Sequence, residues 1–356
     1  MSPVALPAAA EAVLDALFVP FADGTLPLPA AQPVLFLGAR TGAWTNVHRG
    51  VDWHCVQGFK PFADALARQG RDVIEPAGSD RYAAVLVLPP RQRDQARALF
   101  ATALHHARPD AVVAAAVANL EGARSAEGDF VRLAGPVRVL SKHKCRVFWS
   151  LPDDRRVDAE LAAVWRALDR PRPIGEGGIV SRPGLFAWDR VDPASRLLAE
   201  TLPASLAGRV ADLGAGYGYL SMQVLERCLA VRAIDLYEAD ARALKPARIN
   251  LERAASARVN PVEWSVHWHD VTAGLPQRYD AIVSNPPFRQ GRAGQPDIGR
   301  AFIAAAADAL APQGRLWLVA NRHLPYEAEL ARRFGAVDTL AERDGFKVIA
   351  AAGVRR

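Results

Sequence analysis

Three short segments recur in the same order in the two halves of this 356-residue chain, and the repetition narrows the folds open to it. Val34 to Gly42 (VLFLGARTG) aligns with Val210 to Gly218 (VADLGAGYG), and Tyr82 to Pro90 (YAAVLVLPP) with Tyr279 to Pro287 (YDAIVSNPP). Val117-Ala118-Asn119 aligns with Val319-Ala320-Asn321, each after a helical pattern that carries a matching phenylalanine, Phe100 or Phe302. Three matches in one order at nearly constant offset imply two copies of one fold. Within each copy, short apolar runs alternate with helical periodicity, the pattern of a mainly parallel α/β sheet.

In the first half, strands are expected at Pro33 to Leu37, Tyr82 to Leu88 and Ala111 to Val117, with helices over Ala8 to Leu17 and Arg93 to Ala107. In the second, strands are expected at Arg209 to Leu213, Val231 to Asp235, Glu263 to Trp268, Tyr279 to Ser284 and Leu316 to Ala320, and Val348 to Ala352 is expected as a final edge strand. Between the halves, prolines 152, 171, 173 and 183 and the glycines 175, 177 and 178 surround a short helix near Val157 to Leu168 and read as a connection. The expected domains are therefore residues 1–165 and 184–356, with a linker at 166–183.

Composition bounds the partners. The formal charge of +6 permits a nucleic-acid partner without requiring one. The longest apolar run, Ala111 to Ala118, is far shorter than a membrane span, and Met1 to Phe21 lacks the basic start of a signal peptide. A cytoplasmic protein with no membrane partner is expected. Cys55, Cys145 and Cys228 are scattered and odd in number, which suits buried thiols rather than a disulfide framework or a zinc site. His267 and His269 alternate on a strand with no third ligand evident, so no metal is expected.

The halves differ where chemistry would sit. Phe36 stands where the second half has Asp212, Arg40 where it has Gly216, and Leu88 where it has Asn285. In Asp212-Leu-Gly214-Ala-Gly216-Tyr-Gly218, glycines at alternate positions let the backbone turn sharply and approach a ligand, while the next helix offers free N–H groups. A plain tight turn is the alternative reading. Asp235, expected to end the next strand, could accept both ribose hydroxyls of an adenosine-containing cofactor, and Asp270 the adenine amino group or simply a helix start. Asn285-Pro286-Pro287-Phe288 ends an apolar strand with a side-chain amide, a proline carbonyl and an aromatic face. Two acceptors and a ring to stack on suit a planar exocyclic amine.

On these residues the second half resembles the class I S-adenosylmethionine-dependent methyltransferases that modify exocyclic or amide nitrogens. Phe186, the segment Asp192-Pro-Ala-Ser195-Arg-Leu-Leu198, Val319-Ala-Asn321, Leu324-Pro325-Tyr326 and Gly345-Phe346-Lys347-Val348 extend it. With them the chain resembles the ribosomal RNA guanine-N2 methyltransferases of the small-subunit, 16S type, which carry a degenerate N-terminal copy. The resemblance implies two tandem Rossmann-like class I methyltransferase domains, the first one inactive and holding RNA or bracing its neighbour. It implies S-adenosylmethionine as cofactor, held by Phe186, Asp212, Gly214, Gly216, Gly218, Asp235 and Asp270, and ribosomal RNA or the 30S subunit as partner. Asn285 and Pro286 would accept the hydrogens of guanine N2 while Phe288 stacks on the base. The alternatives are guanine-N2 methylation of large-subunit RNA and a non-catalytic RNA-binding assembly factor.

Overall fold

The computed structural model describes residues 8–29, 32–48, 50–74, 79–175, 177–287 and 296–355. It divides into two compact units, Met1–Arg170 and Pro171–Arg356. In the first, seven strands run β1 (Pro33–Leu37), β2 (Asp52–Val56), β3 (Asp72–Ile74), β4 (Tyr82–Val87), β5 (Ala107–Ala118), β6 (Arg138–Lys142) and β7 (Cys145–Ser150). Their order in the sheet is β3-β2-β1-β4-β5-β7-β6, with β6 and β7 antiparallel to their neighbours and the others parallel.

The second unit opens with a small antiparallel hairpin, β8 (Arg172–Ile174) and β9 (Ile179–Ser181). Its main sheet comprises β10 (Ala207–Leu213), β11 (Ala230–Glu238), β12 (Glu263–Trp268), β13 (Tyr279–Ser284), β14 (Leu310–Asn321), β15 (Phe334–Arg343) and β16 (Phe346–Val354), in the order β12-β11-β10-β13-β14-β16-β15. This is the same order as in the first unit, position for position, so the duplicated Rossmann-like fold is borne out.

The repeat holds down to the register. Val34 pairs with Ala84 and Val210 with Ala281, and in both sheets the next pairing is interrupted just after the tyrosine, at Tyr82/Ala84 and Tyr279/Ala281. Gly38 and Ala39 donate to the Val56 carbonyl as Gly214 and Ala215 donate to that of Tyr237. Strands β4 and β13 are almost wholly buried because helices cover both faces of a parallel sheet, which is why they read as continuous apolar runs.

Two expectations are corrected. The strand at Val348 to Ala352 is not an edge: β16 runs Phe346–Val354 between β14 and β15, and β15 forms the edge. The edge strand has an exposed, irregular burial pattern with no clean alternation, which hid it from a periodicity search. Strand β11 also continues past Asp235 to Glu238. The short elements β2, the helix Lys60–Arg68 and β3 were not anticipated in the first half. Of the expected 166–183 connection, the first residues close the helix Ala159–Leu168 in the first unit and later ones form the β8–β9 hairpin in the second. Asn250, buried in the helix Ala241–Ser256, fastens that hairpin by accepting from the Val180 N–H and donating to the Val180 carbonyl, at 2.8 and 2.7 Å. The three cysteines are free and buried, as expected.

Candidate active site

The carboxyl ends of β10, β11 and β13 meet where the chain reverses its direction of winding, β10 lying between the other two. Ligands of open α/β sheets bind at such a crevice. Several contacts hold the three ends together. Gly214 N–H reaches the Tyr237 carbonyl at 2.9 Å, and the Ser284 hydroxyl donates to the Leu213 carbonyl at 2.8 Å. In the loop between β10 and the helix Tyr219–Arg227, Gly214, Gly216 and Gly218 all have positive φ, at 71°, 54° and 86°. A Cβ on Gly216 would meet nothing within 4 Å, so this glycine answers to backbone conformation and to the open space above it.

Asp212 is fully buried below that loop and accepts from the Ser221 hydroxyl at 2.6 Å through one oxygen. Its other oxygen, Oδ1, is buried with no partner among the described residues. Burial pushes its carboxyl up to about 7. Glu238, the last residue of β11, accepts from Gly216 N–H at 2.7 Å and from Asp240 N–H at 2.8 Å, and burial raises its carboxyl as well. It thus sits beside the glycine loop, in the place foreseen for Asp235.

Asp235 itself lies three residues earlier in β11, buried, and bonds to Arg209 at 3.1 Å, Ser265 at 2.5 Å and Gln277 at 2.7 Å. A carboxylate so engaged within the strand holds β10, β11 and β12 together, and the expectation that it ends the strand is corrected. Asp235 is the first acid after the apolar run, and nothing local in the sequence shows that the strand continues past it. Glu238 could have been found through the repeat: the paired register places Gln57 opposite it in the first unit, an uncharged residue where the second has an acid.

Asp270 caps the short 3-10 turn Val271–Ala273, accepting from the Thr272 N–H and hydroxyl at 2.9 and 2.7 Å, both on Oδ1. Phe186 is largely exposed, next to Ala187 with its positive φ, in the turn that leads to Asp192. Phe288, Arg289 and Arg292 lie outside the described residues.

Asn285 follows β13 directly. Its Nδ2 donates to Asp192 Oδ2 at 3.0 Å and to Ser195 Oγ at 2.8 Å, while its Oδ1 is buried with no partner among the described residues. Pro286 is buried beside it. Asp192 is also the N-cap of the helix Pro193–Thr201, accepting from Ser195 N–H at 2.8 Å. Tyr326 is buried as well, its hydroxyl unpartnered among the described residues and packed against Gly299. His267 bonds to Ser265 and stacks on Tyr237, and His269 bonds to the Gly274 carbonyl, so the two do not converge on a common point. Among the described residues the group that could converge on an ion is Asp52, His54 and Asp72, in the other unit.

The corresponding place in the first unit is filled. Phe36 packs with Phe18, Trp44 and Trp53, with Phe18 and Trp44 stacked at 5.4 Å. Arg40 lies over the Phe62 ring at 5.2 Å, Leu88 is buried, and Gln57 donates to the Ala39 carbonyl at 2.6 Å. A Cβ on Gly38 would come 2.5 Å from the Leu88 carbonyl oxygen, so the two loops lie close against each other here.

Comparison with known proteins agrees with this division. The family model Methyltransferase small domain matches residues 176–350, which is the second unit almost entire. Ribosomal RNA small subunit methyltransferase C of Pseudomonas paraeruginosa is 31% identical over 302 residues, covering 85% of this chain and 88% of the relative. The chain belongs to the ribosomal RNA small subunit methyltransferase C family. Its namesake from Shewanella amazonensis is 30% identical over 272 residues, covering 76% of this chain and 77% of the relative. Among solved structures, a T. thermophilus 16S rRNA N2 G1207 methyltransferase in complex with AdoMet and guanosine superposes with a TM-score of 0.79 at 24% identity, over 98% of this chain and 92% of that one. Both units of the family member described here are therefore part of a shared fold.

Proposed function

We propose that the chain transfers a methyl group from S-adenosylmethionine to the exocyclic N2 of a guanine in 16S ribosomal RNA, and that it works in the cytoplasm. The observation that carries this reading is Asn285 Oδ1, a buried acceptor without a described partner, beside a glycine loop bordered by two acids. A buried acceptor left unmatched is costly, and a ligand N–H would remove the cost.

The residues fit the cofactor. It is a cation, and Asp212 Oδ1 and Glu238 offer it the matching charge. Beside the glycine loop, Glu238 would accept the ribose hydroxyls; Asp270 Oδ2, clear of the capping bonds, would accept from the adenine amino group, and the open space at Gly216 would allow close approach. When bound, S-adenosylmethionine supplies an electrophilic methyl group. The chain's own part is positioning. Asn285 Oδ1 and the Pro286 carbonyl accept the two N2 hydrogens and so aim the nitrogen lone pair, and Phe288 is assigned to stack on the extruded base. No strong base is required, because the alkylated nitrogen is acidic and releases its proton to water.

The first unit takes no part in the chemistry and is assigned to holding the RNA or bracing the active unit. Its exposed hairpin tip, Lys142-His143-Lys144 between β6 and β7, offers cations to phosphate. No helix among the described residues is long and apolar enough to cross a membrane. The test is to incubate purified protein and labelled methyl donor with 16S RNA, free or in 30S subunits, from cells lacking the enzyme, and to identify the labelled nucleoside. N2-methylguanosine is expected, and label in any other nucleoside would refute the reading.

A further inference from the structure

The geometry points to Asp192 and Ser195 as positioning residues that lock the Asn285 amide in one orientation, so that the active site presents only an acceptor and selects a substrate atom that carries hydrogen. The inference rests on the reading of Asn285 as the group that meets the substrate, and it explains what makes that residue selective.

An asparagine amide is nearly symmetric in shape, with two donors at one end and two lone pairs at the other. Its neighbours decide which end faces where. Here one neighbour cannot accommodate both. Asp192 is a carboxylate, an acceptor only, and it lies 3.0 Å from the Asn285 nitrogen. Turning the amide over would set a carbonyl oxygen against a carboxylate oxygen and exchange a charge-assisted hydrogen bond for a repulsion. Ser195 Oγ, 2.8 Å away, takes the second hydrogen. Both Nδ2 hydrogens are thereby engaged, and Oδ1 is left as the end that is buried without a described partner.

The clamp is itself fixed. Asp192 Oδ2 also accepts the Ser195 N–H at 2.8 Å, so one oxygen joins the start of the helix Pro193–Thr201 to the tip of β13, 93 residues away in sequence. Pro193 fixes the first turn of that helix, and Ser195 is nearly fully buried. The result is an acceptor held in place before any ligand arrives. Such a site favours an amino group and disfavours a carbonyl or ring-nitrogen lone pair at the same point. On guanine this separates N2 from O6 and N7, and an unlocked amide would lose the distinction.

The helix cap and the clamp can be separated by substitution. Glycine at an N-cap costs only a few tenths of a kcal/mol relative to aspartate, yet it removes the acceptor for Asn285. For Asp192→Gly in the full chain, the expected outcome is a drop in kcat of about 10- to 100-fold, the scale of a small misplacement at a reacting centre. Cofactor affinity, the KM for RNA and the melting temperature should change little. Asp192→Asn, whose side-chain oxygen can serve both the Ser195 N–H and the Asn285 amide, should restore most of the rate. Ser195→Ala, which leaves the cap intact, should lower kcat at least about threefold by freeing one amide hydrogen. Wild-type kcat in both Asp192→Gly and Ser195→Ala would overturn the inference, as would losses confined to melting temperature or cofactor affinity. If the wild-type protein labelled no guanine N2 in the same assay, the proposed function would fall and the clamp with it.

Discussion

Asp212 carries a testable charge. Burial raises its carboxyl from the ordinary 3.8 to about 7, so the folded protein holds a proton there that the unfolded chain releases. The sign follows: from about pH 4 to about pH 7 the unfolded state binds fewer protons, so stability falls as pH rises and the full cost is present above pH 7. Three pH units correspond to a cost on the order of 4 kcal/mol. A bound cation favours the ionised form, so S-adenosylmethionine should bind about tenfold more tightly at pH 8 than at pH 6. Titration calorimetry at the two pH values checks this, and Asp212→Asn should bind weakly with no such pH dependence.

The two acids of β11 should separate in the same experiments. Glu238→Gln should keep the fold and weaken cofactor binding about tenfold or more, because a neutral amide replaces a doubly accepting carboxylate. Asp235→Ala should act mainly on stability, by about 1–3 kcal/mol in urea unfolding, since it leaves Arg209, Ser265 and Gln277 without their common partner. Equal loss of cofactor affinity in both variants would contradict the assignment of Glu238. At this scale the sequence was legible for Asn285, whose place before Pro286-Pro287 ends the strand. It did not show where β11 ends, because the length of that strand depends on its pairing with β12 out to Glu238↔Trp268, a tertiary fact. The contacts of Asp192 and Ser195 with the Asn285 amide were invisible for the same reason, since they span 93 and 90 residues.

Among the elements, the helix Pro296–Ala309 is placed closely by packing. A Cβ on Gly299 would fall 1.9 Å from the Tyr326 hydroxyl, whose ring is buried in the cluster of Phe302, Ile303 and Leu330. Gly299→Ala removes a glycine from a helix, which by propensity alone should stabilise it by about 1 kcal/mol. Overpacking against Tyr326 opposes that by about 1–3 kcal/mol, and the net expectation is destabilisation. Thermal unfolding decides: a lowered melting temperature in Gly299→Ala supports the contact, which involves the ring carbons of Tyr326 as well as its hydroxyl, and a raised one would show that Tyr326 yields. The elements themselves were largely readable, since β10 and β13 are apolar runs bounded by turn residues. The edge strand β15 and the short β3 were not, because neither buries a regular face.

At the scale of the whole molecule, one fold occurs twice, and the residues of the candidate site stand in the second copy alone. The first unit has exchanged an acid for Phe36, a second acid for Gln57, a loop glycine for Arg40 and the amide for Leu88, and an aromatic cluster occupies the space that results. Restoring a single residue does not reopen such a core, so Leu88→Asn should gain no cofactor binding. Calorimetry should give one S-adenosylmethionine per chain, and two would contradict the division of labour. The difference between the copies was visible in the sequence because the repeat supplied its own comparison, with matched strands framing unmatched residues.

The most direct measurement of the central claim uses Asn285→Ala beside the wild type, with cofactor affinity and methyl transfer to 16S RNA followed on the same preparations. The account predicts that the variant binds S-adenosylmethionine like the wild type while N2-methylguanosine formation falls by about 100-fold or more. Turnover within a few-fold of wild type, or a loss of cofactor binding that accounts for the whole defect, would show that the amide is not the group that aims the nucleophile.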